Sequence, residues 1–309
     1  MKLIKPSFEI WEQPAGLEGV YKQIERVGRV CYKSEDKITE DSAKPFVDRM
    51  IKSGHGAMLE HGTVYLYIRR KGNESLEADR YLMNPYSKVV FSQSPNSRDM
   101  EIYITTNLRV LVENGWLDDL KYICEPTEYH ERRVTVHFVC DRGVSHEFVR
   151  HRVMSFAQES TRYCNYSKDK FGSELTFIIP CWMDMHDTDE GREVTRNWNF
   201  DILDGCSIIA EEGEFDDARD AFLTSLNVAE HCYLELLQKG WTTQQARAVL
   251  PNSLKTELVV TGFIKDWKHF FSLRSGIAKT GKPHPQAQEL AEPLMDEFVK
   301  RGIMETLIK

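Results

Sequence analysis

Helical and strand-like periodicities follow one another irregularly along this chain, and that irregularity narrows its fold more than any other feature. Val20, Ile24, Val27 and Val30 recur at helical spacing. A second helix is expected over 39–53, with Phe46, Val47 and Met50 as its apolar face and Gly54 as a left-handed stop. Residues 54–62 read as a loop, and the β-branched and aromatic run from Thr63 to Ile68 reads as a strand. Val134, Val136, Phe138 and Cys140 lie on one face of a strand over 132–140, and a helix is expected over 143–154. A helix over 221–239 carries Phe222, Leu226, Ala229, Tyr233 and Leu237 as its stripe. Thr242 and Gln245 then spell a capping box, and Pro251 a stop. A short strand over 257–261 and helices over 262–275 and 285–303 complete the pattern. Without regular β-α-β order the expectation is an α+β fold, a mixed and largely antiparallel sheet flanked by helices. One domain is expected over 1–309, with two insertions, about 69–130 and 183–220. The second insertion is acidic and reads as solvated and partly helical.

Composition excludes several function classes. The net charge of −8 argues against a broad duplex-nucleic-acid surface, which needs clustered Lys and Arg. Tyr163, Tyr166 and Lys168 lie near Arg150, Arg152 and Arg162, but no longer basic stripe accompanies them, so no nucleic-acid partner is expected. The seven cysteines form no C-x-x-C pair, so neither a zinc ribbon nor a thioredoxin-type redox motif is expected. Neither G-x-G-x-x-G nor a P-loop occurs. No apolar run approaches the ~18 residues of a membrane span, and the N-terminus lacks a signal-like core, so a soluble, cytoplasmic protein is expected. His55, Glu60 and His61 cluster, yet their spacing is not that of a zincin and no third ligand is evident, so no metal is expected.

The strongest local signal runs from Arg150-His151-Arg152 to Tyr163. Apolar Phe148 and Val149 precede the triplet, and Val153 and Met154 follow it. Guanidinium groups in apolar surroundings are costly unless anions or acceptors meet them. Arginine forks match phosphate oxygens, so one reading is an anion pocket, with Ser160 and Arg162 as further donors. The bland alternative is a helix end whose arginines cap carbonyls or pair with surface carboxylates. Arg274 poses the same choice: it shares an apolar helical face with Phe263, Trp267 and Phe270, so it either meets a carboxylate or faces a ligand.

Arg150-His151-Arg152, seven residues, then Ser160, with Arg162 and Tyr163, resembles the signature of flavin-dependent thymidylate synthases. Gly28 to Tyr32, the loop from Gly54-His55 to Glu60-His61, Ala246 to Pro251, and Leu273-Arg274 followed by His284 and Gln286 resemble further family segments in the same order. The resemblance covers roughly 20–68, 131–181 and 221–300. It implies a homotetramer with active sites between subunits, non-covalent FAD, NADPH as reductant and methylenetetrahydrofolate as carbon donor for methylating dUMP. It places Glu147, Arg150, Gln158, Glu159, Ser160, Thr161, Arg162, Arg247 and Arg274 at dUMP, with Ser160 and Arg162 near the phosphate. Arg274 is the implied catalytic residue, its cation favouring ionisation at pyrimidine N3. His55, Ala57, Glu60, Arg150, His151, Arg152, Gln158, Phe263, Lys265, His269 and His284 fall at flavin and folate positions.

The chain departs from the compact bacterial pattern at several of these positions. Glu147 stands for Gln, Ala157 and Gln158 for Asn and Glu, Cys31 for Ser, Ala57 for Thr, Phe263 and His269 for Asn, and Lys265 for Arg. The changes at Ala57, Phe263 and His269 motivate an alternative from another class, a non-catalytic nucleotide-binding protein that has lost flavin. Pro180-Cys181 lacks the following His of a Pro-Cys-His nucleophile, because Trp182 stands there, and Cys181 reads as a structural thiol.

Overall fold

The computed structural model describes residues 1–70, 78–93, 99–168, 171–183, 201–203, 207–209, 217–277 and 281–305. The valine and isoleucine spacing of the N-terminal region becomes the helix Gly16–Tyr32, which buries Val20, Ile24, Val27 and Val30 and ends at Lys33 in the left-handed conformation. The next helix spans Ala43–Lys52 and stops where expected, with Gly54 at φ 70°. The two helices pack closely because Gly28 has no side chain. A Cβ there would stand 2.5 Å from the Phe46 ring. Gly28→Ala is therefore expected to destabilise the protein by roughly 1–3 kcal/mol, measured by urea unfolding; unchanged stability would show that Phe46 has room to yield.

These helices belong to the larger of two units, which comprises 7–139, 144–159 and 256–309. Its four-stranded sheet has the spatial order Ser7–Trp11, Arg133–Asp141, Lys255–Phe263, Ser155–Gln158. The outer pairings are antiparallel, with Phe8 opposite Phe138 and Val259 opposite Ala157. A second, antiparallel sheet orders Thr63–Arg70, Met100–Asn107 and Lys88–Gln93. Ile102, Ile104, Leu108 and Leu111 join Ile24, Phe46 and Val64 in one core. The stretch expected as an insertion over 69–130 thus supplies two of three strands and much of a core. Its alternation shows in Ile102 and Ile104, but the partner strand lies some 40 residues earlier, where local pattern does not reach. Trp267, Phe270, Phe271 and Phe298, all fully buried, interlock the helices Ile264–Arg274 and Pro285–Lys300.

The smaller unit comprises 1–6, 140–143 and 160–255. Strand Lys2–Ile4 pairs in parallel with Thr176–Ile178, and the helix Ala218–Gln238 packs Leu226 and Tyr233 onto Leu3, Phe177 and Leu254. Asp217 caps that helix by accepting from the Asp220 amide. The Thr242 and Gln245 capping box is present, but only one α-turn, Thr243–Ala246, precedes a 3₁₀ turn over Arg247–Val249. Most of 183–220 lies outside the described residues; the described part holds two short antiparallel strands, Asp201–Leu203 and Ser207–Ile209. The fold is thus the expected α+β arrangement, helices on largely antiparallel sheets. Among the described residues no helix is long and apolar enough to cross a membrane.

Candidate functional site

The helix expected over 143–154 ends at Phe148. Phe148 is fully buried, and the chain must then reverse so that Ser155–Gln158 can pair with Leu258–Thr261. It does so through turns in which the His151 amide donates to the Phe148 carbonyl and the Met154 amide to that of His151. The Arg150-His151-Arg152 triplet therefore sits on a turn beyond the helix. His151 is buried, while Arg150 and Arg152 are exposed. Among the described residues no carboxylate lies within ion-pair distance of either arginine. The other guanidiniums in those pairs, such as Arg29 with Glu25 and Arg80 with Asp119, are matched.

His151 meets Arg274 at the C-terminal end of the Ile264–Arg274 helix. The Arg274 Nε donates to His151 Nε2 at 3.3 Å, Nη1 to the Glu147 carboxylate at 2.5 Å, and Nη2 to the Glu147 carbonyl at 2.8 Å. Of the two alternatives posed by the sequence, the first is present: Arg274 has a carboxylate partner in Glu147. His269 stands edge-on to His151 at 5.8 Å and Phe270 packs against it at 5.0 Å. Burial, then the Arg274 cation and His269, push the His151 imidazole down to about 4, against an opposing pull from Glu147. At neutral pH His151 is uncharged, so the triplet offers two cations and one acceptor.

The 54–62 segment, expected as a loop, holds a short helix, Gly56–Leu59, with His55 exposed at its start. Glu60 is tied to Arg109, which also bonds Glu113. His61 is fully buried and shares a hydrogen bond with Thr261 at 2.8 Å. Glu60 and His61 are thereby engaged apart from His55, and among the described residues no three His, Cys, Asp or Glu side chains group as a metal site. Arg133, which no sequence motif singles out, lies beneath this segment. It donates to the Glu60 carbonyl, Thr63 and Ser155, and its guanidinium faces the Phe263 ring at 5.6 Å. Burial lowers it to about 10, partly offset by Tyr65, Glu60 and Asp266. No local signal marks Arg133, because its partners come from three distant segments.

The other residues that the resemblance assigns to flavin and folate differ in exposure. Ala57, Lys265, His269 and His284 are exposed, whereas Phe263 is buried at the start of its helix, its amide donating to Asp266. Gln158 donates to Ser145 and Thr256, and Glu159 is buried with its amide on the Glu257 carbonyl. Among the described residues no hydrogen bond or ion pair joins His55, Ala57 or Lys265 to the Glu147, His151 and Arg274 group.

In the smaller unit, Thr161 is buried and Arg162 is exposed. The Ser160 hydroxyl accepts from the Arg162 amide. Arg162 Nε donates to Gln244 at 3.0 Å, and its carbonyl accepts from Thr243 at 2.6 Å, so the 243–249 turn holds it. Arg247 is exposed on the same turn. Neither arginine has a carboxylate within ion-pair distance among the described residues. Cys181 is exposed; the described cysteines form no disulfide, and Cys206 lies outside the described residues.

Residues 127–301 match the family described as thymidylate synthase complementing protein. Over 170 residues the chain is 26% identical to a flavin-dependent thymidylate synthase of Pyrococcus furiosus, a match covering 55% of each. The chain thus spans about half the length of that relative. A flavin-dependent thymidylate synthase of Corynebacterium aurimucosum is 25% identical over 267 residues, 86% of this chain and 72% of the relative. A UMP/dUMP methylase from Streptomyces cacaoi, solved with 5-Br dUMP, overlays 97% of this chain and 93% of its own at 18% identity and a TM-score of 0.40, too loosely to equate residues.

Proposed function

Because the chain belongs to the thymidylate synthase complementing protein family, that of the flavin-dependent thymidylate synthases, we propose that it reductively methylates dUMP to dTMP. Methylenetetrahydrofolate is the carbon donor in this reading and NADPH-reduced FAD the hydride source. The observation that carries it is the state of four arginines at motif positions. In a chain of net charge −8, Arg150, Arg152, Arg162 and Arg247 are exposed and none has a carboxylate partner among the described residues. Unmatched guanidiniums suit phosphate groups, which their forks bind bidentately.

The residues suit FAD at its charged part. Arg150 and Arg152 offer two free cations for a pyrophosphate, and Lys265 a third exposed one. The inner positions differ from that role, since Glu60 is committed to Arg109 and Phe263 is buried. When bound, the flavin would supply the hydride that completes the methyl group. The protein's part is then to hold and polarise. In this reading Ser160 and Arg162 of a second subunit lie at the dUMP phosphate and its Gln158, Glu159 and Thr161 wrap the nucleotide, with Arg247 a further nucleotide-binding arginine. Arg274 lies against the pyrimidine, where its cation stabilises negative charge developing at N3. Glu147 and Arg150 contact dUMP beside it, and His55, Ala57, His269 and His284 border the flavin and folate. In this reading the enzyme is a cytoplasmic homotetramer with sites completed between subunits.

The test is an absorption spectrum of the purified protein with and without added FAD and dUMP. Flavin bands near ~370 and ~450 nm that shift with dUMP are expected, placing cofactor and nucleotide together. Nucleotide binding without flavin under any condition would instead favour a non-catalytic nucleotide-binding protein.

A further inference from the structure

The Arg274 guanidinium carries five N–H donors, and three are committed: Nε to His151, one on Nη1 to the Glu147 carboxylate, one on Nη2 to the Glu147 carbonyl. Two donors remain, one on each terminal nitrogen. The group is therefore held at all three nitrogens, with one donor left on each terminal one. One grip, Glu147, comes from the end of the helix Arg142–Phe148; the other, His151, from the turn that follows it. His151 is itself held in place, buried between Phe270 and His269 on the helix that carries Arg274.

We propose that His151 is the positioning residue of Arg274, accepting its Nε–H so that the guanidinium keeps its orientation toward the pyrimidine. The assignment rests on the synthase reading for the identity of the ligand, but not for the contact itself. It gives the middle member of the Arg-His-Arg triplet a task its neighbours cannot share. Arg150 and Arg152 are cations and only donate; an acceptor facing a guanidinium has to be neutral or anionic. The imidazole that accepts at Nε2 carries its proton on Nδ1. An imidazolium at this place would present a donor to a donor and a like charge to Arg274. The groups facing His151 are Arg274, His269 and Phe270 from one helix and Glu147 from the other, and the cation beside it works with burial to keep the ring neutral.

Two substitutions separate positioning from packing. His151→Phe keeps a ring against Phe270 and removes the acceptor; His151→Gln loses the ring and keeps a carbonyl acceptor of similar reach. At pH 7, His151→Phe is expected to weaken dUMP binding, measured by calorimetry, by about tenfold or more, the cost of one hydrogen bond to a charged group. His151→Gln should recover most of that loss. In ¹⁵N-arginine spectra without nucleotide, the Arg274 Nε–H should be protected from water in the wild type and in His151→Gln, and exchange freely in His151→Phe. Flavin content is read from absorbance on the same samples. A His151→Phe variant that keeps its dUMP affinity and a protected Nε–H overturns the proposal, and loss of flavin alone in that variant would make His151 a cofactor contact only. If the wild type binds no dUMP, the synthase reading fails, and the Nε–H exchange still decides whether His151 holds Arg274.

Discussion

Arg274→Ala is expected to yield a folded protein that forms dTMP roughly 10²–10³-fold more slowly, the range seen when one preorganised donor to a developing anion is removed. The fold should survive because the helix Ile264–Arg274 is anchored upstream by Trp267, Phe270 and Phe271, each fully buried, while Arg274 is its last residue. The partner left behind is tolerable: the Glu147 side chain is 33% exposed and can take water in place of the guanidinium. Arg274→Lys should rescue little, since an ammonium cannot reach a carboxylate, a carbonyl and an imidazole while keeping two donors free. The measurement is kcat with saturating dUMP, beside a thermal melt to show folding. Wild-type turnover in folded Arg274→Ala would remove Arg274 from the chemistry.

Stability is expected to fall steeply in mild acid because two imidazoles are buried uncharged. Burial, then the Arg133 charge, lower His61 from 6.5 to about 3, and burial with Arg274 and His269 lowers His151 from 6.5 to about 4. In the unfolded chain both protonate near 6.5. Each folded value is depressed, so the stabilisation is complete above 6.5 and is lost as pH falls from 6.5 toward the folded values. By pH 5 each should have cost roughly 2 kcal/mol, and the slope should approach two protons. Urea unfolding between pH 8 and 5 at fixed protein concentration checks this, and His151→Gln should remove about one proton from the slope. A flat profile over that range would mean that the two rings are hydrated or charged in the native state.

Several elements follow from local pattern alone. The Gly16–Tyr32 helix, its successor ending at Gly54, the capping box of Thr242 with Gln245 and the strand of Val134, Val136 and Phe138 all rest on local causes: side-chain period, a left-handed glycine, a reciprocal cap. Two features answer to non-local demands. The helix over 143–154 stops at Phe148 because Ser155–Gln158 is claimed by the sheet. The stretch after Arg69 forms sheet because Met100–Asn107 pairs with Thr63–Arg70.

The site divides in the same way. The sequence by itself determined which residues concentrate guanidinium groups around Ser160, and with them the family, because spacing along the chain is a local property. Only the tertiary structure decided the charge state and partner of each. It put His151 under Phe270 and made it neutral, joined Arg274 to Glu147, tied Glu60 to Arg109, and left Arg150, Arg152, Arg162 and Arg247 exposed and without carboxylates among the described residues. Desolvation and ion pairing depend on which side chains meet in space. Arg274 and Glu147 are 127 positions apart, a distance no motif spans.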